Sequence, residues 1–331
     1  MKILITGVAG LLGSRLADYL IKVKNVEVIG IDNLSGGYIE NLNSEIKFYN
    51  LDLISESISH VFEDNVIDYV FHFAAYAAEG LSPFIRKFNY DSNLKVTASI
   101  VNECIKFNVK RLVFASSMAV YGYGNNNTFD ESQFPQPIDP YGVAKFACEM
   151  DIQIAGKQHD LDWCIIRPHN VYGINQNIWD KYRNVLGIWM YQHLNNQSMT
   201  IYGDGSQKRA FTYIEDCLEP FYKSAINENC SKEIINLGGK EAISILEAHN
   251  ILKKIFNGGK TKFLESRYEV KNVIPAFQKS IDLLSYTNST SLEVGLTNMW
   301  RWVKTQPNRK RFIWPSYELD KGIYSYWKSN N

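Results

Sequence analysis

The first twenty residues, MKILITGVAGLLGSRLADYL, constrain the fold more than any other stretch of this chain. An apolar run, Lys2–Thr6, is followed by glycines and then by leucines at helical spacing, which predicts a strand, a tight turn and a helix. Gly7 and Gly10 would let backbone amides at the start of that helix approach a pyrophosphate. A second apolar run, Val26–Ile31, ends at Asp32, about twenty residues on, where an acid binds ribose hydroxyls. The stretch therefore predicts a β-α-β unit that binds a dinucleotide.

The remainder of the chain keeps alternating between strand and helix patterns, which is typical of an α/β protein. Further strand-like apolar runs lie at about 46–53, 67–75, 111–115 and 161–168. Helical patterns separate them, and the longest runs from about Phe84 to Phe107. We therefore expect a Rossmann fold with a doubly wound parallel sheet.

A second stretch with chemical meaning runs from Ala115 to Lys145. Tyr141 lies four residues before Lys145 at the start of a helical pattern, which puts both side chains on one helical face. An isolated tyrosine has a pKa near ~10, so an adjacent ammonium would make its phenolate a usable base near neutral pH. Ser117 ends a strand pattern, where it would hold the hydroxyl that this base deprotonates. The alternative is a chance spacing and a serine that only ends a strand, and the N-terminal glycines favour the chemical interpretation.

Together these motifs resemble the extended short-chain dehydrogenase/reductase family, in particular its nucleotide-sugar epimerases and dehydratases. The shared motifs are GxxGxxG with the acid at the strand end, SSxxVYG at 116–122 and YxxxK. RPHNVYG at 167–173 and YGDGSQKRAFTYIED at 202–216 match family patterns in the same order. The resemblance implies NAD-dependent chemistry of the UDP-glucose 4-epimerase kind.

The resemblance divides the chain into two parts. The NAD-binding Rossmann domain is expected at 1–172, with a segment that returns to it at about 211–240. A smaller α/β domain that binds the substrate is expected mainly at 173–331.

The resemblance also implies which residues contact NAD. An acid at position 32 repels a 2′-phosphate, which favours NAD over NADP. Asp52 is placed like an acid that contacts the adenine in relatives; alternatively it caps a helix that begins at Ser55. His72, inside a buried strand pattern, is interpreted as a core residue. The expected cofactor contacts are Gly7, Gly10, Leu11, Leu12, Asp32, Asn33, Asp52, Leu53, Ala74, Ala75, Tyr141, Lys145 and Pro168.

A further set of residues is implied for the nucleotide sugar. Tyr202 is placed to stack on the base and Arg209 to bind the diphosphate, for which a guanidinium is well suited. Asn170 would touch the diphosphate, or only form an Asx turn. Glu269 replaces the usual aspartate that holds the nucleotide ribose, and the small Val273 would leave room for an N-acetyl group. The expected substrate contacts are Ser117, Asn170, Asn184, Tyr202, Arg209, Arg267 and Glu269.

These placements predict a 4-epimerase that works through a transient 4-keto sugar, with Ser117, Tyr141 and Lys145 as catalytic residues. Lys145 would bind the nicotinamide ribose and lower the pKa of Tyr141. Sugar 4,6-dehydratases carry Asp-Glu directly after the catalytic serine or threonine, whereas this chain has Met118 and Ala119, which argues against dehydration. A 2-epimerase, a uronate 4-epimerase, a decarboxylase, a sugar dehydrogenase and a non-catalytic NAD-sensing scaffold remain alternatives.

Composition narrows the possible partners. Lys plus Arg and Asp plus Glu are both 35, so no net field recruits nucleic acid or an anionic membrane. No apolar run approaches ~20 residues and no secretory pattern opens the chain. The five cysteines show no CxxC spacing, which predicts reduced packing residues and no metal site. We therefore expect a cytoplasmic protein with neither nucleic-acid nor membrane partners.

Two features concern contacts outside the predicted cavity. By resemblance, the long helix from about Phe84 and the helix after Tyr141 would pair with a second subunit in a four-helix bundle, so a homodimer is expected. The basic, aromatic C-terminal stretch matches no family pattern, and Arg309, Lys310 and Arg311 would form a solvated face, an oligomer contact or a substrate contact.

Overall fold

The computed structural model describes residues 1–123 and 128–328, and the side chains of Thr128 and Val273 lie outside that description. In chain order, its strands are β1 Lys2–Thr6, β2 Glu27–Asp32, β3 Lys47–Asn50, β4 Tyr69–His72, β5 Arg111–Ala115, β6 Thr128–Phe129, β7 Trp163–Pro168, β8 Val171–Tyr172, β9 Met199–Tyr202, β10 Lys208–Ala210, β11 Thr212–Tyr213, β12 Glu233–Leu237, β13 Ala242–Ser244, β14 Thr261–Leu264 and β15 Asn272–Pro275. Its α-helices are α1 Leu11–Lys24, α2 Ser59–Glu63, α3 Arg86–Tyr90, α4 Val96–Lys106, α5 Pro140–Gln158, α6 Val185–Leu194, α7 Ile214–Ile226, α8 Ile245–Phe256, α9 Gln278–Leu284, α10 Leu292–Val303 and α11 Ser325–Lys328.

Seven strands form one parallel sheet in the order β12-β7-β5-β4-β1-β2-β3. The chain winds outward from β1 in one direction to β3 and in the other to β12, so the strand order reverses between β1 and β4. Ligands of such sheets bind where the order reverses, beyond the carboxyl ends of the strands. The expected doubly wound Rossmann sheet is therefore confirmed.

Side chains alternate between the two faces of the sheet, as the period of a strand requires. Ile3 of β1 packs in one core with Leu16 of α1. Leu4, the next residue, packs in a second core with Ile100 of α4 and Ile152 of α5. Helices thus cover both faces, which accounts for the nearly continuous apolar strands.

The helix predicted from about Phe84 to Phe107 is interrupted. Between α3 and α4 the backbone forms a π-helical turn at Asp91–Lys95. Within this region, the side-chain Nδ2 of Asn93 donates to the backbone carbonyl of Asn89 at 2.9 Å. The side-chain Nδ2 of Asn89 donates to the backbone carbonyl of Pro140 at 2.9 Å. The Asn93 side chain thus bonds a backbone carbonyl within the helix, and the Asn89 side chain links α3 to the start of α5.

The second half of the chain contributes to both the main sheet and smaller sheets. Strand β12 lies beside β7 at the edge of the seven-stranded sheet. A separate sheet has the order β13-β10-β15-β6. Helix α8 begins at Ile245, because Ser244 caps it in a capping box with Glu247. Among the described residues, no helix is both long and apolar enough to cross a membrane.

A buried ion pair links α5 to the sheet. Arg167 of β7 donates from Nε and Nη2 to the carboxylate of Glu149 in α5 at 2.9 and 2.6 Å, and both residues are at most 2% exposed. The Ser116 hydroxyl, just after β5, also donates to that carboxylate. On its other side, Arg167 donates to the Tyr121 hydroxyl at 2.6 Å, which donates to Asn236 of β12 at 2.9 Å. The network therefore fixes α5 relative to the ends of three strands.

Removing one partner of this pair should strongly destabilise the protein, because it leaves a buried charge unpaired. We expect Glu149→Gln to lower the free energy of unfolding by about 3–5 kcal/mol in urea titrations. The control Glu27→Gln breaks an exposed pair with Lys2 and should cost less than about 1 kcal/mol. Equal effects of the two substitutions would contradict the structural role of the buried pair.

Candidate active site

A cavity of about 1010 Å³ lies at the carboxyl ends of the sheet strands. Every residue predicted above to contact the cofactor or the substrate, or to act as a catalyst, lines its wall. The structure thus brings together residues that are up to 262 positions apart in the chain, from Gly7 to Glu269. Their individual roles stay predictions.

One end of the cavity is a cradle of backbone. Gly7 has φ +72°, and a Cβ there would lie 2.8 Å from the nitrogen of Ala74. A Cβ at Gly13 would lie 2.2 Å from the carbonyl oxygen of Gly7. Helix α1 begins at Leu11 with no acidic residue in its first turn, so its free N–H groups favour an anion. The cradle fits a dinucleotide pyrophosphate.

Asp32 lies at the end of β2 beside this cradle. Its carboxylate accepts hydrogen bonds from the backbone N–H groups of Ala9 at 3.0 Å and Leu34 at 2.7 Å. Burial raises its pKa above the ordinary value, and the two N–H groups oppose that shift. The carboxylate is therefore held in one orientation and keeps lone pairs for ribose hydroxyls.

Asp52 does not cap a helix. Its carboxylate accepts from the N–H of Ile54 at 3.0 Å and from the amide of Asn33 at 3.4 Å. The segment from Ser55 is a turn, and the next described helix, α2, begins at Ser59. The helix-cap alternative is therefore wrong, since the local bonds form an Asx turn at the cavity wall.

His72 is a core residue, as expected. Its ring nitrogens bond the hydroxyls of Thr6 at 2.7 Å and Thr97 at 3.0 Å. Burial lowers its pKa to about 3, so the imidazole is neutral at physiological pH.

The Ser117, Tyr141 and Lys145 side chains meet at the carboxyl end of β5. The hydroxyl of Ser117 lies near enough to that of Tyr141 to lower the tyrosine pKa. The ammonium of Lys145 donates to the carbonyl of Ala115 at 2.8 Å and lies 5.9 Å from the centre of the Tyr141 ring. Asp139 caps α5 by accepting from the N–H of Gly142 at 2.9 Å, which sets where the helix begins. The arrangement holds a phenol, a hydroxyl and an amine at one place.

The pKa of Tyr141 departs from the sequence expectation. Burial is the largest effect and raises it, the nearby carboxylate of Glu79 raises it further, and Ser117 only partly offsets both. Burial also lowers the pKa of Lys145 to about 8. Burial therefore outweighs the groups that lower the pKa of Tyr141, and the effect of Lys145 on the phenol stays a prediction.

Two carboxyl groups beside Tyr141 escaped the sequence analysis. The side chain of Glu79 is open to the cavity. Desolvation by the surrounding cavity walls raises the pKa of its carboxyl above the ordinary value. Burial, followed by the charge of Glu79, raises the pKa of Asp139 to about 7. The hydroxyl of Ser82 joins this group by donating to the carbonyl of Glu79 at 2.8 Å and accepting from the N–H of Tyr141 at 3.2 Å. No sequence motif marks Glu79, because only the folded loop after β4 brings it there.

At the other end of the cavity lies a cluster of charges. Arg209 of β10 donates to the carboxylate of Glu269 at 3.0 Å, and Arg267 approaches the same carboxylate at 3.4 Å. The guanidinium of Arg267 also covers one face of the Tyr202 ring at 4.1 Å. A base that stacks on Tyr202 therefore uses the other face or displaces Arg267. Arg209 is not a surface charge, since its side chain is only 13% exposed.

Asn170 and Asn184 both have left-handed backbones, with φ of 39° and 69°. Within the described residues, neither side chain accepts a hydrogen bond from a nearby backbone N–H, so Asn170 forms no Asx turn and Asn184 no side-chain cap. Both residues line the cavity. Arg183, next to Asn184, was also missed from sequence; it lines the cavity and pairs with Asp180 at 2.8 Å.

Arg309 of the basic C-terminal stretch makes contacts within the chain, while the oligomer and substrate alternatives stay predictions. It pairs with Glu40 of the same chain at 2.8 Å, and its guanidinium lies over the Tyr38 ring at 4.1 Å. Arg311 is buried and lies over the Tyr191 ring at 4.8 Å, whereas Lys310 is exposed. The two arginines therefore pack within the chain. The expectation for the Val273 side chain lies outside the described residues.

Comparison with known proteins agrees with this site. The sequence model of the NAD dependent epimerase/dehydratase family matches residues 3–238, which confirms the resemblance drawn from the motifs. A protein of Methanocaldococcus jannaschii named putative UDP-glucose 4-epimerase is 31% identical over 305 residues, covering 91% of this chain and 98% of the relative.

Solved structures are similar over nearly the same length. UDP-glucuronic acid 4-epimerase from Bacillus cereus, in complex with UDP-glucuronic acid and NAD, is 32% identical with a TM-score of 0.84, covering 92% of this chain and 99% of that one. UDP-glucose 4-epimerase from Thermotoga maritima, with UDP-glucose, is 29% identical with a TM-score of 0.86 and the same coverage. These neighbours act on different sugars, so similarity alone leaves the sugar open.

Proposed function

Because this chain belongs to the NAD dependent epimerase/dehydratase family, we propose that it inverts C4 of a UDP-hexose through a transient 4-keto sugar. The observation that carries the proposal is the position of Tyr141 and Ser117 in one cavity, between the glycine cradle and the arginine cluster. The family's cofactor, NAD, fits the cradle, Asp32 and the free amides of α1. A hexose anchored by its diphosphate would then have C4 beside the phenol.

In this mechanism, Tyr141 takes the proton of the C4 hydroxyl, and the Ser117 hydroxyl holds the same oxygen. When bound, NAD would supply the acceptor for the C4 hydride and its source for return to the opposite face of the ring. Lys145 would hold the nicotinamide ribose, and its ammonium together with Ser117 would oppose the effect of burial on the phenol. Tyr141 gives the proton back when the hydride returns, so protons and electrons balance over the cycle.

Arg209 and Arg267 would hold the diphosphate and keep the keto sugar from leaving. Guanidinium groups bind phosphate oxygens in pairs, and both arginines line the cavity. Glu269, which now pairs with them, would turn to the nucleotide ribose once phosphate takes its place. Anchoring at the nucleotide leaves the sugar free to turn over beside Tyr141.

Other reactions would give different products. A sugar dehydrogenase accumulates NADH, a decarboxylase releases carbon dioxide, and a 2-epimerase inverts a different carbon. A non-catalytic NAD sensor needs the glycine cradle but not the phenol beside Ser117. Dehydration is disfavoured because Met118 and Ala119 occupy the places of the usual acid pair, although Glu79 and Asp139 supply carboxyl groups from other elements.

Replacing the phenol should stop turnover without emptying the cofactor site. We expect Tyr141→Phe to lower kcat at least about 100-fold while the NAD dissociation constant changes little. The assay is NMR detection of C4 epimers in a panel of UDP-, GDP-, CDP- and dTDP-sugars. The control Tyr90→Phe lies outside the cavity and should keep full activity. A Tyr141→Phe enzyme with near wild-type kcat would remove this residue from the mechanism.

Glu79 should select against uronates. A uronate would bring another negative charge next to Glu79 and Asp139, and the repulsion between like charges should weaken its binding. We expect kcat/KM for UDP-glucose to exceed that for UDP-glucuronate, and Glu79→Gln to narrow the ratio by about tenfold. The control Glu63→Gln, on exposed α2, should leave the ratio unchanged. A wild-type enzyme that prefers UDP-glucuronate would instead favour the uronate 4-epimerase.

A second copy of the chain is the proposed partner of α5. This helix exposes Val143, Met150 and Ile154 by 41%, 49% and 49%, and their spacing puts them on one face. We expect a homodimer through a four-helix bundle, and Met150→Glu with Ile154→Glu should convert it to a monomer in light-scattering measurements. Val66→Glu, at an 82% exposed site elsewhere, serves as the control. A wild-type monomer would be evidence against the bundle.

Two expectations from the sequence stay predictions. The division into an NAD-binding part at 1–172 and a substrate-binding part at 173–331 is one, and limited proteolysis with and without NAD would test it. The cytoplasmic location is the other, and cell fractionation would test it.

A further inference from the structure

We propose that the C-terminal segment 314–328 completes the nucleotide end of the cavity, and that Tyr324 contacts the uridine diphosphate group. This inference rests on the nucleotide half of the proposed function and goes beyond it, because no sequence motif assigns the segment a role. The occupant is identified by its chemistry as a flat base attached to a diphosphate.

Tyr324 is part of the cavity wall. Its half-buried ring lies 6.1 Å from that of Tyr202, measured between ring centroids. It packs edge-on against Trp327 at 5.0 Å and Phe84 at 6.1 Å. Trp327 is itself only 3% exposed. Tyr324 is therefore held in place by the segment around it rather than hanging free at the cavity mouth.

The segment also holds the loop at 265–269 at two points. The hydroxyl of Tyr324 accepts a hydrogen bond from the backbone N–H of Tyr268 at 3.2 Å. The carboxylate of Glu265 accepts from the N–H and the hydroxyl of Ser325 at 2.7 and 2.9 Å. The second contact lowers the pKa of Glu265, as expected for a carboxylate that accepts two hydrogen bonds. Tyr324, just before α11, and Ser325, its first residue, thus bind the loop 265–269 at Tyr268 and at Glu265.

This loop carries the charged groups of the nucleotide site. Arg267 and Glu269 lie on either side of Tyr268, and Glu269 pairs with Arg209. Arg267 and Trp327 both come within 3.4 Å of the place where a Cβ would stand at Gly80. The loop 265–269, the C-terminal segment and the loop after β4 therefore meet near Gly80. By holding Tyr268, Tyr324 limits the positions that the adjacent Arg267 can take.

Aromatic rings next to two guanidinium groups suit a base and a diphosphate. A base gains stacking or edge contacts with the rings, and the guanidinium groups bind phosphate oxygens. The contacts of Tyr324 named above include no residue of the glycine cradle, so the segment should affect binding of UDP and not of NAD.

The test is calorimetric titration of the full chain with UDP and, separately, with NAD. Tyr324→Ala should weaken UDP binding at least about tenfold, because it removes both the ring and the contact with the loop. Tyr324→Phe keeps the ring and removes only the hydrogen bond, so it should weaken UDP binding by about three- to fivefold. NAD binding and the melting temperature of Tyr324→Phe should match the wild type.

The control is Leu319→Ala, which changes an exposed residue of the same segment outside the cavity and should leave both affinities unchanged. Should Tyr324→Ala fail to fold, Tyr324→Phe and Glu265→Ala decide the question. The inference is overturned if the wild type binds UDP and these variants bind it equally well, or if NAD binding falls as much as UDP binding. A wild type that does not bind UDP at all would instead reject the nucleotide half of the proposed function.

Discussion

The geometry of the candidate site depends on the buried pair of Glu149 and Arg167. The helix that carries the phenol and the amine is joined to the sheet by loops, and this pair ties the body of the helix to β7 through two hydrogen bonds. Ser116 links the end of β5 to the Glu149 carboxylate, and Tyr121 links the pair to Asn236 of β12. A buried ion pair is not by itself a source of stability, because desolvation offsets its attraction. Its value here is orientation, since a shift of α5 would separate the phenol from Ser117.

The parts of the fold that depend on local sequence could be predicted. The strand, glycine turn and helix at the N-terminus, the acid at position 32 and the YxxxK spacing each reflect backbone geometry within one or two elements. The buried strands were also predictable, because a parallel sheet covered on both faces has continuous apolar strands. The π-helical turn at Asp91–Lys95 was not, since it depends on contacts between Asn89 and a carbonyl far along the chain.

The site was predictable to a similar degree. The predicted site residues all line the cavity, whereas Glu79, Arg183 and Tyr324 lie in segments without a motif and were missed. The pKa of Tyr141 could not be predicted from a local motif either. A helical spacing tells which groups are neighbours, but the balance between burial, a carboxylate and an amine depends on the whole cavity.

The small sheet of β13, β10, β15 and β6 has a consequence for the molecules that this cavity can hold. Strand β10 carries Arg209, β15 follows the loop with Arg267, and β6 is packed through Phe129 against Tyr121, four residues after Ser117. Backbone bonds rather than flexible side chains therefore set the span from the guanidinium groups to the phenol. For the proposed substrate, this span would favour a diphosphate linkage over one that is a phosphate shorter.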